Sequence, residues 1–302
     1  MKKVILVTGA TGYIGSNIVK KLISEEYDVH ILVRRMSKYD IFGNEISKIK
    51  IHVYDGDIEK LSSIFENISP EMVIHLASLF ISEHKFGDIK ELIDSNVTLG
   101  SLLLEMCKAN NVKYFINTGT CWQDYLGGEY NPVNLYAATK ESFEVISKYY
   151  IETSSMRMIT LKLMDTYGPM DQRNKIINLL KKIAVTGEWL SMSEGEQEIG
   201  LVYIDDVVEA FKISMREIVK MPKHSHKHYV VSPKNIYTLK EVVHIFENEI
   251  GVKLNIRWGE RKYREREMMK LKSGHENILN QSDMIDLKYG IKKMLLVEKN
   301  SV

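Results

Sequence analysis

Lys3-Val-Ile-Leu-Val-Thr8-Gly9-Ala10-Thr11-Gly12-Tyr13-Ile14-Gly15 is the stretch on which the reading of the fold turns. A short apolar run ends in a glycine-spaced turn, and a periodic run from Tyr13 to Ser24 follows. The first predicts a buried strand and the second a helix. Glycines at this spacing allow a tight turn, close approach of backbone to a pyrophosphate, and close packing of helix on strand. The helix start also offers free N–H groups and a positive dipole end to phosphate. In this strand–turn–helix context the sequence predicts a dinucleotide site on Gly9, Thr11, Gly12, Tyr13 and Ile14.

The same rhythm continues outward. Strands are predicted at Asp28–Arg34, Ile49–Tyr54, Met72–Ala77, Lys113–Thr118 and Met158–Leu163. Helical stretches lie across 89–109 and Ser142–Tyr150. Continuous apolar strands separated by helices indicate a parallel sheet covered on both faces, an α/β Rossmann-type, doubly wound fold. Past residue 168 the rhythm changes. A helix (174–186), a strand pair around Trp189 and Leu201, a helix (204–215), a strand at Tyr229–Val231, a helix (238–250) and a Lys-, Arg- and Met-rich tail follow. The expectation is a dinucleotide-binding domain over 1–168 and a smaller C-terminal α/β substrate lobe over 169–302, with some exchange of elements between them.

Composition narrows the classes. Hydrophobic residues make up 44% and charged residues 27% of 302, ordinary for a globular chain. The net charge of +1 argues against nucleic acid or a membrane surface as partner, since both favour a basic excess. The Val4–Val7 run is far too short for a signal peptide or a membrane span, and a cytoplasmic location is expected. Cys107 and Cys121 are too few for a zinc framework and read as reduced thiols. His224-Ser-His226-Lys-His228 reads as a solvated turn ahead of a strand, so no metal is expected.

Two further stretches carry chemistry. Val33-Arg34-Arg35 closes the second strand with no acid before Asp40. Arginine there suits a 2′-phosphate, so Arg34 and Arg35 point to NADPH, with NADH second. Asp55, at the end of the third strand, either accepts from an adenine amino group or caps the next helix. Tyr136-Ala-Ala-Thr-Lys140 places a phenol and an ammonium on one helical face. A nearby ammonium lowers a phenol's pKa, which would let Tyr136 exchange a proton near neutral pH. Thr118 stands at the end of the fifth strand, where open α/β sheets place their ligands.

Together with Asp57-Ile58, His75-Leu-Ala77, Asn96-Val97, Tyr167-Gly-Pro169 and Tyr203-Ile-Asp-Asp206-Val, these motifs resemble the extended short-chain dehydrogenase/reductase family, in its sugar-nucleotide epimerase, dehydratase and reductase branch. The resemblance covers Thr8 to about Ala210. It implies a cofactor lobe touching Asp57, Ile58, Leu76 and Ala77, a second lobe holding a nucleotide-sugar, and a homodimer. It also implies a triad: Thr118 bonds the reacting oxygen, Tyr136 is the acid/base, and Lys140 holds the nicotinamide ribose and tunes Tyr136.

Departures from the family's patterns narrow the branch. Gly119-Thr120 stand where the dehydratases carry Asp-Glu, and Thr120 and Met170 where the epimerase-reductases carry Cys and His. The acid after the second strand, usual in 4-epimerases that retain NAD, is absent. One-way hydride transfer remains. Asn117–Gln123, Tyr130–Lys140, Met164–Pro169, Gly195–Gln197 and Leu201–Asp206 look most like the abequose and paratose synthase group. The resemblance thus implies NADPH-dependent reduction of the C4 ketone of a nucleotide-linked 4-keto-6-deoxy or 4-keto-3,6-dideoxy hexose or heptose, for O-antigen or capsule synthesis. A 4-epimerase or 4-dehydrogenase retaining NAD is the alternative. A non-catalytic dinucleotide sensor is a third reading, against which the intact triad weighs. On the substrate side stand Thr120, Trp122, Asp165 (an Asn in the family), Arg261 and Arg264. Trp122 reads equally as a sugar floor or as core. The arginines read equally as a diphosphate clamp or as a solvated segment.

Overall fold

Successive residues of the first strand enter different cores, and that alternation sets the layering. In β1 (Val4–Thr8), Ile5 and Val7 pack into one core while Leu6 packs into another. The computed structural model describes residues 2–128 and 130–300. After β1 come α1 (Tyr13–Ser24), β2 (Asp28–Val33), β3 (Ile49–Val53), α2 (Ile58–Ile68) and β4 (Met72–His75). The predicted helix across 89–109 is α3 (Ile89–Ile93) and α4 (Leu99–Ala109), joined through a π-helical turn at Asp94–Thr98. Then follow β5 (Tyr114–Thr120), α5 (Leu135–Glu152), β6 (Arg157–Leu163) and β7 (Asp165–Tyr167).

Past residue 168 come α6 (Ile176–Thr186), the short strands β8 (Leu190–Ser191), β9 (Glu198–Ile199) and β10 (Leu201–Tyr203), and α7 (Ile204–Lys220). The chain continues with β11 (Ser225–Val231), β12 (Tyr237–Thr238), α8 (Leu239–Ile250), β13 (Ile256–Arg257) and α9 (Leu287–Lys299). A seven-stranded sheet runs β11-β6-β5-β4-β1-β2-β3, every pairing parallel. The α/β Rossmann-type expectation is met. The order reverses at β1, so the turn after β1 lies at the switch point where such sheets bind ligands.

α1 and α7 pack together on one face, and α2, α4 and α5 on the other. A third core, around Tyr167, Leu180, Tyr203, Phe246 and Ile291, fills the second lobe. Tyr13 and Ile14 pack against that third core, and Ile14 against the first as well, so the glycine turn sits on the seam.

Several boundaries differ from the sequence reading. β5 runs on to Thr120, because Thr120 itself caps the following turn. α5 starts at Leu135 under an Asn134 cap, which accepts from the Ala137 N–H and puts Tyr136 in the first turn. The tail contains α9, whose apolar face (Leu287, Ile291, Met294) joins the third core. The His224–His228 stretch is not a solvated turn. His226 and His228 lie within β11, paired with β6, and each ring is partly buried. Among the described residues no helix is long and apolar enough to cross a membrane.

Candidate active site

Gly9 adopts φ +67°, a conformation costly for side-chain-bearing residues, and a Cβ there would lie 2.5 Å from the Ala77 nitrogen. The glycine lets the turn lie directly on the chain leaving β4. Thr8 fixes that crossing: its Oγ1 accepts from the Ala77 N–H at 3.2 Å and lies 2.7 Å from His75 Nδ1. Gly15 closes the helix onto the turn, where a Cβ would meet the Gly9 carbonyl oxygen at 2.2 Å. α1 has no side-chain cap at Gly12 and no acid in its first turn. Its leading N–H groups therefore carry no competing anion, and the cradle fits a dinucleotide pyrophosphate.

The other expected cofactor residues are placed as follows. Thr11 and Gly12 border the cradle with partial to full exposure, while Leu76 and Ala77 form the chain beneath it. Tyr13 turns its hydroxyl to the Pro169 carbonyl at 3.2 Å, and Arg173 lies over its ring at 4.6 Å. Burial pushes its pKa far up. Ile14 is packing between lobes, which leaves backbone rather than side chains at 13 and 14 to face a phosphate. Arg34 is exposed at the end of β2, with no ion pair among the described residues. Arg35 instead pairs with Asp55 at 3.0 Å. The helix-cap role weighed for Asp55 belongs to Asp57, whose Oδ1 accepts from the N–H groups of Glu59 and Lys60. Ile58 is half exposed at the head of α2.

Tyr136 and Lys140 stand one turn apart on α5, which packs beside β5 and β11. Burial pushes the Tyr136 phenol up to about 12, partly offset by a hydrogen bond with the Ser78 hydroxyl, while Cys121 and Asp165 add to the rise. Lys140 is absent from the groups acting on Tyr136, so the expected lowering of the phenol is not found. The correction runs the other way. Burial draws Lys140 down to about 8, against the pull of Glu144. Thr118 Oγ1 is buried with no hydrogen-bond partner, and so is Asn117 Oδ1 beside it. A buried hydroxyl without a partner is costly unless a ligand supplies one.

Ser78 and Phe80 are site residues the sequence reading missed. Asn96, in the π-helical turn, holds their loop. Its Oδ1 accepts from the Ser78 hydroxyl and the Leu79 N–H, and its Nδ2 donates to the Leu79 carbonyl and to Thr139 Oγ1. Phe80 then stands edge-on to Tyr136 at 5.0 Å and packs on Trp122 at 5.6 Å.

A cavity of about 360 Å³ is lined by Phe80 and Trp122 from one part of the chain and by residues past 168 from the other. Asp165, Arg261 and Arg264 line it, together with Lys175 and Arg266. Thr120 is not on its wall; its hydroxyl accepts from the Trp122 N–H and caps the turn. Asp165 pairs with Lys175 at 2.7 Å, which neutralises the acid that would repel a pyrophosphate. Lys175 also sits 4.3 Å over the Phe80 ring. Arg261 reaches Glu83 on the surface at 3.3 Å. Arg264 lies over Trp122 at 5.5 Å, and Arg266 lies over Tyr125 at 4.3 Å while donating to Asn131. The Nε groups of Arg264 and Arg266 are buried without partners. Arg266, missed in the sequence, is marked only by its place two residues after Arg264.

Comparisons with known proteins agree with this architecture. The model of the NAD dependent epimerase/dehydratase family matches residues 5–232. A CDP-abequose synthase of Yersinia pseudotuberculosis is 30% identical over 291 residues, covering 93% of this chain and 96% of that protein. A CDP-abequose synthase of Salmonella muenchen is 30% identical over 305 residues, covering 99% of each. The solved UDP-glucose 4-epimerase of Thermotoga maritima, bound to UDP-glucose, matches with a TM-score of 0.84 at 20% identity over 99% of both chains, which establishes the fold. With the glycine cradle, the triad residues and these full-length relatives in hand, the chain belongs to the NAD-dependent epimerase/dehydratase family of extended short-chain dehydrogenases/reductases, and is an NAD(P)-dependent enzyme.

Proposed function

We propose that this enzyme reduces the C4 ketone of a nucleotide-linked 4-keto-6-deoxy or 4-keto-3,6-dideoxy sugar with NADPH. The observation that carries the reading is the cavity beside Tyr136. Two arginines with buried, unpaired Nε groups line it from beyond residue 168, and Phe80, which stands edge-on to Tyr136, lines it together with Trp122. Arginine suits a diphosphate and an aromatic wall suits a sugar ring. The CDP-abequose synthases that match along the whole chain point to the same substrate class.

NADPH, when bound, supplies the hydride. The chain does the rest. The α1 N-terminus and glycine turn would hold its pyrophosphate, and unpaired Arg34 would take a 2′-phosphate. Thr118 donates its free hydroxyl to the ketone oxygen, polarising it. Tyr136 holds its proton at neutral pH, since burial raises its pKa, and delivers that proton to the same oxygen. Lys140, one turn further along α5, would hold the nicotinamide ribose. Residues 1–168 form the cofactor lobe and 169–302 the sugar-nucleotide lobe, with α7 and β11 exchanged back onto the main sheet. The protein works in the cytoplasm as a homodimer, for which Val145 and Tyr149, exposed on α5, offer an apolar face.

The test is a panel of 4-keto sugar-nucleotides with NADPH and with NADH, followed at 340 nm. Stoichiometric loss of NADPH with reduction at C4 is expected, and Tyr136→Phe should lower turnover by about 10²–10⁴-fold. Tightly held NADH with no net consumption would instead identify a 4-epimerase that retains NAD, and unchanged turnover in Tyr136→Phe would remove the triad assignment.

A further inference from the structure

His226 and His228 are two residues apart on β11, the edge strand of the sheet, so both rings face the same side. Their centroids are 4.0 Å apart. α5 brings Glu144 against them, with Oε2 2.7 Å from His228 Nε2. One ligand atom from each of the three side chains lies within 4.8 Å of the other two. No residue of this cluster has a part in the reaction proposed above.

We propose that Glu144, His226 and His228 form a site for a divalent transition metal, best suited to zinc, which clips β11 to the helix bearing Tyr136 and Lys140. Two imidazoles and a carboxylate are a donor set that zinc accepts, with a further position open to water. An outer shell is already built. Gln123 Nε2 donates to Glu144 Oε1 at 2.7 Å, which leaves Oε2 facing the histidines. Thr160 Oγ1 lies 2.9 Å from His226 Nε2 and orients that ring, and His275 stacks on His228 at 5.5 Å.

Local charge also suits a cation. The Lys162 ammonium is held by both Asp124 oxygens at 2.9 Å and is neutralised by them. His228 keeps 31% of its side chain exposed, which gives an ion access from solvent.

The experiment strips the full-length protein with a chelator and titrates it with zinc chloride against a chromogenic competitor. One zinc per chain at a submicromolar Kd is expected, with a rise in Tm because only the folded chain presents the ligands together. His226→Gln and His228→Gln should each weaken binding at least tenfold, whereas His84→Gln, on the exposed surface, should leave it unchanged. Cobalt(II) in the wild-type protein supplies a readout that needs no variant: two paramagnetically shifted imidazole resonances. Substoichiometric zinc, affinity unchanged in both β11 variants, or fewer than two shifted imidazoles would overturn the site.

Discussion

Thr118 shows how a single atom separates stability from chemistry. Its hydroxyl is buried and bonds nothing, so replacing it with the near-isosteric valine removes an unsatisfied polar group and leaves packing intact. Thr118→Val should therefore unfold in urea within about 0.5 kcal/mol of the wild type, while turnover falls by roughly 10²-fold, the cost of losing one donor to a developing oxyanion. A large stability loss with proportionate activity loss would make Thr118 a packing residue. The sequence singles out this position because β5 ends near it, yet it is silent on whether the hydroxyl has a partner. The same silence hid the Arg35–Asp55 pair and the Asp165–Lys175 pair, since each joins side chains from different elements that only the folded chain brings together. It also misled on Tyr136. Spacing placed an ammonium near the phenol, but burial dominates both groups.

At the scale of elements, the π-helical turn at Asp94–Thr98 does what a regular helix would not. The extra residue per turn lets Asn96 reach back to the loop after β4, a use such turns often have near functional sites. Asn96 makes four hydrogen bonds there, two of them to Leu79 backbone that is otherwise unpaired in the hydrogen-bond pattern. Asn96→Ala should cost about 2–4 kcal/mol by urea denaturation, because it strands several partners at once. Asn110→Ala loses a single bond, to the Met106 carbonyl, and should cost under about 1 kcal/mol. Equal losses in the two variants would remove the anchoring role. Period-two and period-3.6 patterns made β1 to β6 and α1 legible. They could not show a π turn, which has no sequence period of its own. They likewise missed α9, whose apolar stripe is interrupted by lysines, and the true start of β11, whose alternating histidines and lysine look like a turn.

Across the whole molecule the lobes share their packing. α7 starts in the third core at Ile204 and continues into the first at Val207, and β11 completes the sheet from beyond residue 168. A charge forced into the sheet layer should therefore be felt in global unfolding. His75 is the group placed to report it. It is 1% exposed at the end of β4, beside Thr8 Oγ1 and between Phe115 and Phe143. Burial, aided by the Lys140 ammonium, draws its pKa down to about 3. The unfolded chain, with a histidine near 6.5, then binds the extra proton anywhere between those values. The stability from neutral His75 is complete above about pH 6.5 and is lost progressively as the pH falls toward 3, on the order of 1 kcal/mol for each unit. Other buried histidines add the same sign, so the variant must be compared with the wild type at each pH. Between pH 7 and pH 5, urea unfolding of His75→Gln should lose on the order of 2 kcal/mol less than the wild type. Parallel losses would mean that the imidazole at position 75 finds a proton, or water, inside the folded protein.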